Sequence, residues 1–201
     1  MGAFSPANNW NSKLQLQFDT EIMKPLLRGL IEEGVTFRGL LYPGLIITSD
    51  GPRVLEFNCR FGDPETQAVL PLMRSSLLEP MTAIASGSGL SGASNVEWDS
   101  AFAVTTVLAT RGYPDAPVTG DPITLPAAPN GVIAFHAGTA RDTHGALVTS
   151  GGRVIAATAV ARTFDRAQQA SADYAAAVEF NGKQFRADIG WRESARRARA
   201  T

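Results

Sequence analysis

Three polar side chains alternate with apolar ones in residues 54–60, and their chemical types suit a metal ion and a phosphate. Glu56, Asn58 and Arg60 stand two positions apart. Successive side chains of a β-strand point to opposite faces, so a strand here presents these three together. Carboxylate and amide oxygens are ligands that Mg²⁺ accepts, and an arginine can bind a phosphate or carboxylate through two parallel hydrogen bonds. The same spacing also suits a solvated strand face with an ordinary Glu–Arg surface pair.

The apolar residues between them predict the strand itself. Val54, Leu55 and Phe57 have high β-propensity. Leu55, Phe57 and Cys59 lie on the alternate face, and we expect them to be buried. We expect the opposite face to be at least partly exposed, with the oxygens of residues 56 and 58 close enough to share one ion, because an ionised carboxylate is costly to bury without a partner.

The residues that follow predict a bend and then a helix. Gly62 permits a sharp bend, and Asp63 can cap a helix that starts after it. Pro64 suits the first helical position, and Glu65 suits the positive end of the helix dipole.

Residues 55–67 read LEFNCRFGDPETQ, and this run resembles the signature of the phosphoribosylamine–glycine ligase family, which belongs to the ATP-grasp superfamily. Other stretches resemble the same family in the same order along the chain: residues 1–7, 39–45, 135–139, 151–154 and 188–192. The chain therefore resembles the carboxyl-terminal half of the family's enzymes.

The resemblance implies an ATP-dependent ligase of purine biosynthesis. Such an enzyme phosphorylates the glycine carboxylate, and the amine of 5-phosphoribosylamine then attacks the glycyl phosphate. The products are glycinamide ribonucleotide, ADP and phosphate. The resemblance implies Mg²⁺ or Mn²⁺ as cofactor, ATP as a substrate and no covalent nucleophile.

It also implies roles for individual residues. Glu56 and Asn58 correspond to metal ligands within the ATP site, and Leu55 to a residue near the adenine. Arg60 corresponds to a catalytic and substrate-binding residue at the phosphate end. Asp63 corresponds to a substrate-binding residue, although helix capping is an equally good use for its carboxylate.

Several family features have no counterpart here. The resemblance begins inside the ATP-grasp domain, without the amino-terminal domain, the Gly-rich lid or the nucleotide-binding lysine. Many ATP-grasp enzymes also carry a carboxylate on the strand before the signature, whereas residues 35–49 contain no acid. We therefore expect this chain to be inactive alone and to need the missing amino-terminal half. The alternatives are a non-catalytic truncated fragment or binding module, or another ATP-grasp ligase.

Composition limits the other functions. The 201 residues carry 18 basic and 19 acidic side chains, which gives no electrostatic reason to expect nucleic acid or a membrane surface as a partner. No apolar run approaches the roughly 20 residues of a spanning helix, and no signal peptide is visible. Cys59 is the only cysteine, so no internal disulfide can form, and we expect a cytoplasmic protein.

The hydrophobic patterns predict helices and antiparallel strands, an α+β fold, and the resemblance implies that these form the carboxyl-terminal part of an ATP-grasp domain followed by a small domain of sheet and helix. We predict domains at residues 1–85 and 98–195, a Gly/Ser-rich linker at 86–97 and a solvated tail at 196–201. Residues 192–201 carry four Arg, and we expect them to form a frayed, solvated helix end. Predicted helices cover residues 12–33 (kinked or divided at Pro25), 64–73, 76–86 and 163–178. Predicted strands cover residues 36–49, 54–60, 101–110, 123–125, 132–137 and 154–160, and residues 1–12 are predicted to be a loop.

Overall fold

The structure, a computed structural model, describes residues 1–91 and 95–199. Its helices are α1 (Ser12–Gln17), α2 (Lys24–Glu32), α3 (Glu65–Val69), α4 (Leu78–Ser86), α5 (Phe164–Ala177) and α6 (Trp191–Ala198), with a π-helical segment at Phe18–Met23 and a 3₁₀ turn at Leu70–Leu72. Its strands are β1 (Gly2–Ser5), β2 (Tyr42–Thr48), β3 (Gly51–Asn58), β4 (Phe102–Ala109), β5 (Val132–His136), β6 (Thr139–Arg141), β7 (Leu147–Thr149) and β8 (Arg153–Ala161). The paired strands are antiparallel, and the predicted α+β class is confirmed.

The chain forms two compact units. The sheet unit contains Met1–Pro6, Asp63–Met73 and the chain from Trp98 onward, and the ribbon unit contains Ala7–Gly62 and Arg74–Glu97. These units are not contiguous in sequence, whereas the predicted domains 1–85 and 98–195 are, so those bounds stay a prediction. Parts of the predicted linker 86–97 and tail 196–201 lie outside the described residues.

The sheet unit is built on a four-stranded sheet in the order β1-β4-β8-β5. Its two inner strands are rich in Val, Thr and Ala, and almost every residue on them is buried. Helix α5 packs on these strands through side chains at helical spacing, among them Phe164, Ala167 and Tyr174. The core of this unit therefore lies between the central strands and α5.

Buried hydroxyl groups in this core bond to one another. Thr105 and Thr158 lie on paired strands with their Oγ1 atoms 2.8 Å apart. Ser171 on α5 lies 2.8 Å from Thr106 Oγ1 and donates to the carbonyl of Ala157 at 2.9 Å. Because these hydroxyls have partners, burial of the polar atoms carries little penalty.

The end of the described chain differs from its prediction. Residues 192–201 were expected to form a frayed, solvated helix end, but the side chain of Glu193 on α6 is completely buried. Its carboxylate pairs with Arg196 and, at 2.9 Å, with Arg197. The guanidinium of Arg197 also lies 4.4 Å from the ring centroid of Phe102. Tertiary contacts of this kind cannot be deduced from a count of arginines.

We expect Glu193→Ala to lower the free energy of unfolding by about 1.5–3 kcal/mol, because it removes a buried carboxylate that accepts charge-assisted hydrogen bonds from two arginines. The measurement is chemical denaturation of the chain. Glu179→Ala is the matched control, since Glu179 is mostly exposed and its ion pair with Lys183 is long, at 3.8 Å. This variant should lower the free energy of unfolding by less than about 1 kcal/mol. Equal losses in both variants would contradict the assignment.

The ribbon unit contains α1, the π-helical segment, α2, the hairpin β2–β3 and α4. Residues 12–32 form one continuous helical run, which changes from π-helical to α-helical form at Lys24, so the helix is not divided into two separate helices at Pro25. The strand predicted over residues 36–49 begins only at Tyr42.

Two other sequence predictions were wrong, and one hairpin was missed. Residues 2–5 form β1 and pair with β4, although residues 1–12 were expected to be a loop. The hairpin β6–β7 was not predicted. Residues 123–125 make only an isolated bridge, between Thr124 and Glu179. Short strands of this kind depend on a distant partner, so local propensity does not reveal them.

Within the described residues, no helix is both long enough and apolar enough to cross a membrane.

Candidate metal and nucleotide site

Strand β3 presents Glu56 and Asn58 on the same face. The amide nitrogen of Asn58 donates to Oε1 of Glu56 at 3.0 Å, so the two side chains are in direct contact. Glu56 is exposed and Asn58 is half-buried. The predicted shared face and partial exposure are thus confirmed for this pair.

A β-bulge precedes the pair and affects the space around it. Gly44 of β2 lies opposite Glu56, and Leu45 lies opposite Val54, which leaves Leu55 without a partner on the neighbouring strand. A Cβ atom at position 44 would lie 3.1 Å from Cγ of Glu56. Glycine at this position therefore leaves room for the Glu56 side chain to lie across β2.

We expect Gly44→Val to raise about tenfold or more the divalent metal concentration needed for half-maximal activity of the enzyme that the family resemblance implies, because the added branches displace Glu56. Valine favours strands, so β2 itself should persist. The measurement is a metal titration of activity with this chain combined with the amino-terminal half that the resemblance implies. Gly29→Ala is the control, because its added Cβ meets no atom within 4 Å. An unchanged metal requirement in Gly44→Val would show that this space is not needed.

The expected burial of the alternate face was wrong. Leu55 is 68% exposed, Phe57 is 39% exposed, and Cys59 is also exposed. The hairpin β2–β3 is a two-stranded sheet, and the ribbon unit leaves much of both its faces uncovered. Alternation along a strand predicts which residues share a face, but another element has to bury that face.

Arg60 lies beyond the end of β3, which the prediction had extended to residue 60. Its side chain is exposed, and its NH1 group donates to the carbonyl oxygen of Phe61 at 2.9 Å. Strand alternation therefore places only Glu56 and Asn58 on a shared face, and it does not determine the position of Arg60. A guanidinium with one such bond keeps further N–H donors for a phosphate or carboxylate.

Asp63 does not cap α3. The residue at the N-cap position is Pro64, and no side chain caps this helix. Oδ1 of Asp63 instead accepts from Gln67 at 3.0 Å, and Oδ2 pairs with Arg153 at 3.0 Å. The prediction missed both partners. Arg153 belongs to the Gly-Gly-Arg-Val run that carried part of the family resemblance, but that run gave no sign of its contact.

The donors on β3 fit a divalent ion that is also held by phosphate oxygens. Rotation of the Asn58 amide by 180° places its oxygen where the nitrogen now contacts Glu56, so that both side chains offer oxygen. Mg²⁺ commonly takes one or two protein ligands and completes an octahedron with phosphates and water. Among the described residues no group of three or more His, Cys, Asp and Glu side chains could hold a metal. The pair therefore suits a metal–nucleotide complex better than a metal held by protein alone.

His136 is the last residue of β5. Its Nδ1 atom lies 3.0 Å from Oγ1 of Thr139, and the residue is exposed. This contact gives the imidazole a hydrogen-bonding partner three residues away. Among the described residues, His136 belongs to no group of His, Cys, Asp and Glu side chains that could hold a metal.

Comparisons with known proteins agree on one family. Residues 1–66 match the family model described as the ATP-grasp (A) domain of phosphoribosylglycinamide synthetase, and residues 103–192 match its C domain. The phosphoribosylamine–glycine ligase of Ralstonia nicotianae is 41% identical over 194 residues, which is 96% of this chain and 45% of that protein. The chicken trifunctional purine biosynthetic protein adenosine-3 is 43% identical over 194 residues, which is 96% of this chain and 19% of that protein.

The solved structures include a similar fold. A crystal structure of phosphoribosylamine–glycine ligase from Thermotoga maritima matches with a TM-score of 0.80 and 36% identity, over 94% of this chain and 46% of that one. The chain thus spans less than half the length of these relatives. ATP-grasp ligases of this kind use ATP and a divalent metal. The two matched domains and the similar fold show that the chain belongs to the phosphoribosylglycinamide synthetase family.

Proposed function

We propose that the chain forms the metal- and phosphate-binding part of a phosphoribosylamine–glycine ligase. The observation that carries this proposal is the contact between Glu56 and Asn58 on one accessible face of β3, within the run that resembles the family signature. The complete ligase, as the term is used below, is this chain joined to or combined with the amino-terminal portion of the family's enzymes.

The proposed reaction joins glycine to 5-phosphoribosylamine. ATP transfers its γ-phosphoryl group to the glycine carboxylate, and the phosphoribosylamine nitrogen then displaces phosphate from the glycyl phosphate. The products are glycinamide ribonucleotide, ADP and phosphate. The small-molecule partners are therefore ATP, glycine and 5-phosphoribosylamine, and the proposed place of action is the cytoplasm.

Three side chains have proposed roles in this reaction. Glu56 and Asn58 hold Mg²⁺ or Mn²⁺, which when bound neutralises charge on the phosphate oxygens. The guanidinium of Arg60 stabilises negative charge that develops on the transferred phosphoryl group or on the acyl phosphate. Leu55, whose side chain is largely exposed, is proposed to contact the adenine ring.

The exposed apolar side chains of the ribbon unit support a role for further protein. Helices α1 and α2, residues 35–40 and both strands of the hairpin expose large hydrophobic groups: Leu16, Leu27, Ile31, Val35, Phe37, Leu40, Ile46, Ile47, Val54, Leu55 and Phe57. Extended apolar surface of this kind marks a region that another surface covers. We propose that the amino-terminal portion of the ligase covers part of it and completes the nucleotide site.

The experiment that tests the substrates is product analysis with the complete ligase. ATP, Mg²⁺, glycine and 5-phosphoribosylamine should give a product with the mass of glycinamide ribonucleotide, together with ADP. Alanine in place of glycine, or ribose 5-phosphate in place of the amine, should give none. An active enzyme that prefers another acid or amine would instead identify a different ATP-grasp ligase.

A further inference from the structure

The carboxylate of Asp63 is held by a side chain ninety residues away in sequence. Within the sheet unit, NH2 of Arg153 lies 3.0 Å from Oδ2 of Asp63, and NH1 donates to the backbone oxygen of the same residue at 3.1 Å. One guanidinium therefore binds both the side chain and the main chain of Asp63. Two such bonds restrict its orientation more than a single-point contact does.

Strand β8 has a β-bulge next to Arg153. This bulge leaves Val154 without a partner on β4, since Leu108 pairs with Ile155 and Ala109 pairs with Arg153. Bulges re-aim the side chains beside them.

The glycines near Arg153 make close contacts as well. A Cβ atom on Gly138 would lie 2.6 Å from the carbonyl oxygen of Arg153 and 2.7 Å from Cα of Gly151. A Cβ on Gly152 would lie 2.4 Å from the ring of Tyr113. Larger residues at 138 or 152 would have to displace backbone or ring atoms, so these glycines permit the placement of Arg153.

Gln67 restrains the other carboxylate oxygen. Its amide donates from α3 to Oδ1 of Asp63, four residues earlier and outside the helix, at 3.0 Å. Within the part of the chain that the structure describes, each carboxylate oxygen has one protein donor, whereas an ionised carboxylate can accept about four hydrogen bonds. The side chain of Asp63 is 39% exposed, so acceptor capacity remains accessible to a ligand.

We propose that Arg153 is a positioning residue for the ligase reaction and acts through Asp63. Together with Gln67 it fixes the carboxylate, so that the remaining lone pairs accept N–H bonds from the amino group of a substrate. That group is the ammonium of glycine or the amine of 5-phosphoribosylamine, and both have the donor chemistry that a carboxylate binds. This inference rests on the proposed function.

A role in stability alone makes a different prediction. The Arg153–Asp63 pair is more than one-third exposed at both side chains, and exposed ion pairs contribute little to folding. The pair Arg186–Asp188, with a nitrogen–oxygen distance of 2.6 Å, provides a matched comparison in the same unit. Removing either pair should change the melting temperature slightly and equally, whereas only the first should change substrate binding.

The test is steady-state kinetics of the complete ligase with Arg153→Ala, Arg153→Lys, Arg186→Ala and Asp63→Asn, and with Arg153→Ala in the Asp63→Asn background. KM is measured separately for ATP, glycine and 5-phosphoribosylamine. Arg153→Ala should raise KM for one amino substrate about tenfold or more, as expected when a charge-assisted bond is lost, with KM for ATP unchanged. The amino substrate affected identifies the group that Asp63 binds.

Further variants separate positioning from folding. Arg153→Lys should recover part of the loss, because it keeps the charge without the two-point contact. In the Asp63→Asn background, Arg153→Ala should add less than about a twofold change, since its effect passes through the carboxylate. Unchanged KM values in Arg153→Ala, measured against an active wild type, would overturn this inference alone. An inactive wild-type ligase would contradict the proposed function as well.

Discussion

Turnover of the complete ligase should fall by at least about 100-fold when Glu56 is replaced by Ala. The proposed ion is held by few protein groups, and the loss of a preorganised charged ligand removes stabilisation of the reacting phosphates. Asn58→Ala should have a comparable effect. Asn58→Asp should be milder because it retains an oxygen ligand. The measurement is kcat at saturating ATP over a range of Mg²⁺ concentrations.

A matched control distinguishes this site from any exposed acid of the ribbon unit. Glu32, the last residue of α2, is exposed, and Glu32→Ala should leave turnover unchanged. A Glu56→Ala enzyme within about threefold of wild type at every metal concentration would contradict the proposed role.

Without the amino-terminal portion, the chain should show no ligase activity with ATP, Mg²⁺, glycine and 5-phosphoribosylamine. Its ribbon unit leaves the face of β3 open and much of its apolar surface exposed, and an open site neither encloses a nucleotide nor excludes water. Addition of the separately expressed amino-terminal portion of a related ligase should produce activity. The measurement is phosphate release that depends on both substrates.

A variant that weakens the association of the two parts provides the control for that experiment. Replacing Leu27 and Ile31, two exposed side chains on α2, with Asp should weaken complementation but leave the chain folded, because neither is buried in the unit. Phosphate release from the chain alone, dependent on both substrates, would show that no further protein is required. A non-catalytic binding module would fail to gain activity with any amino-terminal portion.

The central pair of the site could be predicted from the sequence because it depends on local geometry. Side chains two positions apart on a strand share a face, and the contact between Glu56 and Asn58 follows directly from that rule. The main helices were also predictable from their hydrophobic spacing, and the inner strands β4 and β8 from their short, nearly continuous runs of apolar and β-branched residues. Arg60 departed from the pattern only because β3 ends before it.

The features that were not predictable depend on residues far apart in sequence. The burial expected for Leu55 and Phe57 requires an element that covers the hairpin, and the ribbon unit provides little such cover. The contact of Asp63 with Arg153 joins a residue before α3 to the start of β8. Nothing in the local spacing around Asp63 distinguishes such a partner from a helix cap.

The most direct test of the central claim is a crystal structure of the complete ligase with Mn²⁺ and a non-hydrolysable ATP analogue. Anomalous scattering locates the ion without reference to the protein atoms. We predict an ion whose ligands include a carboxylate oxygen of Glu56 and the amide oxygen of Asn58, at about 2.0–2.2 Å, together with phosphate oxygens of the nucleotide. An ion bound to the nucleotide but to neither of these side chains would contradict the account.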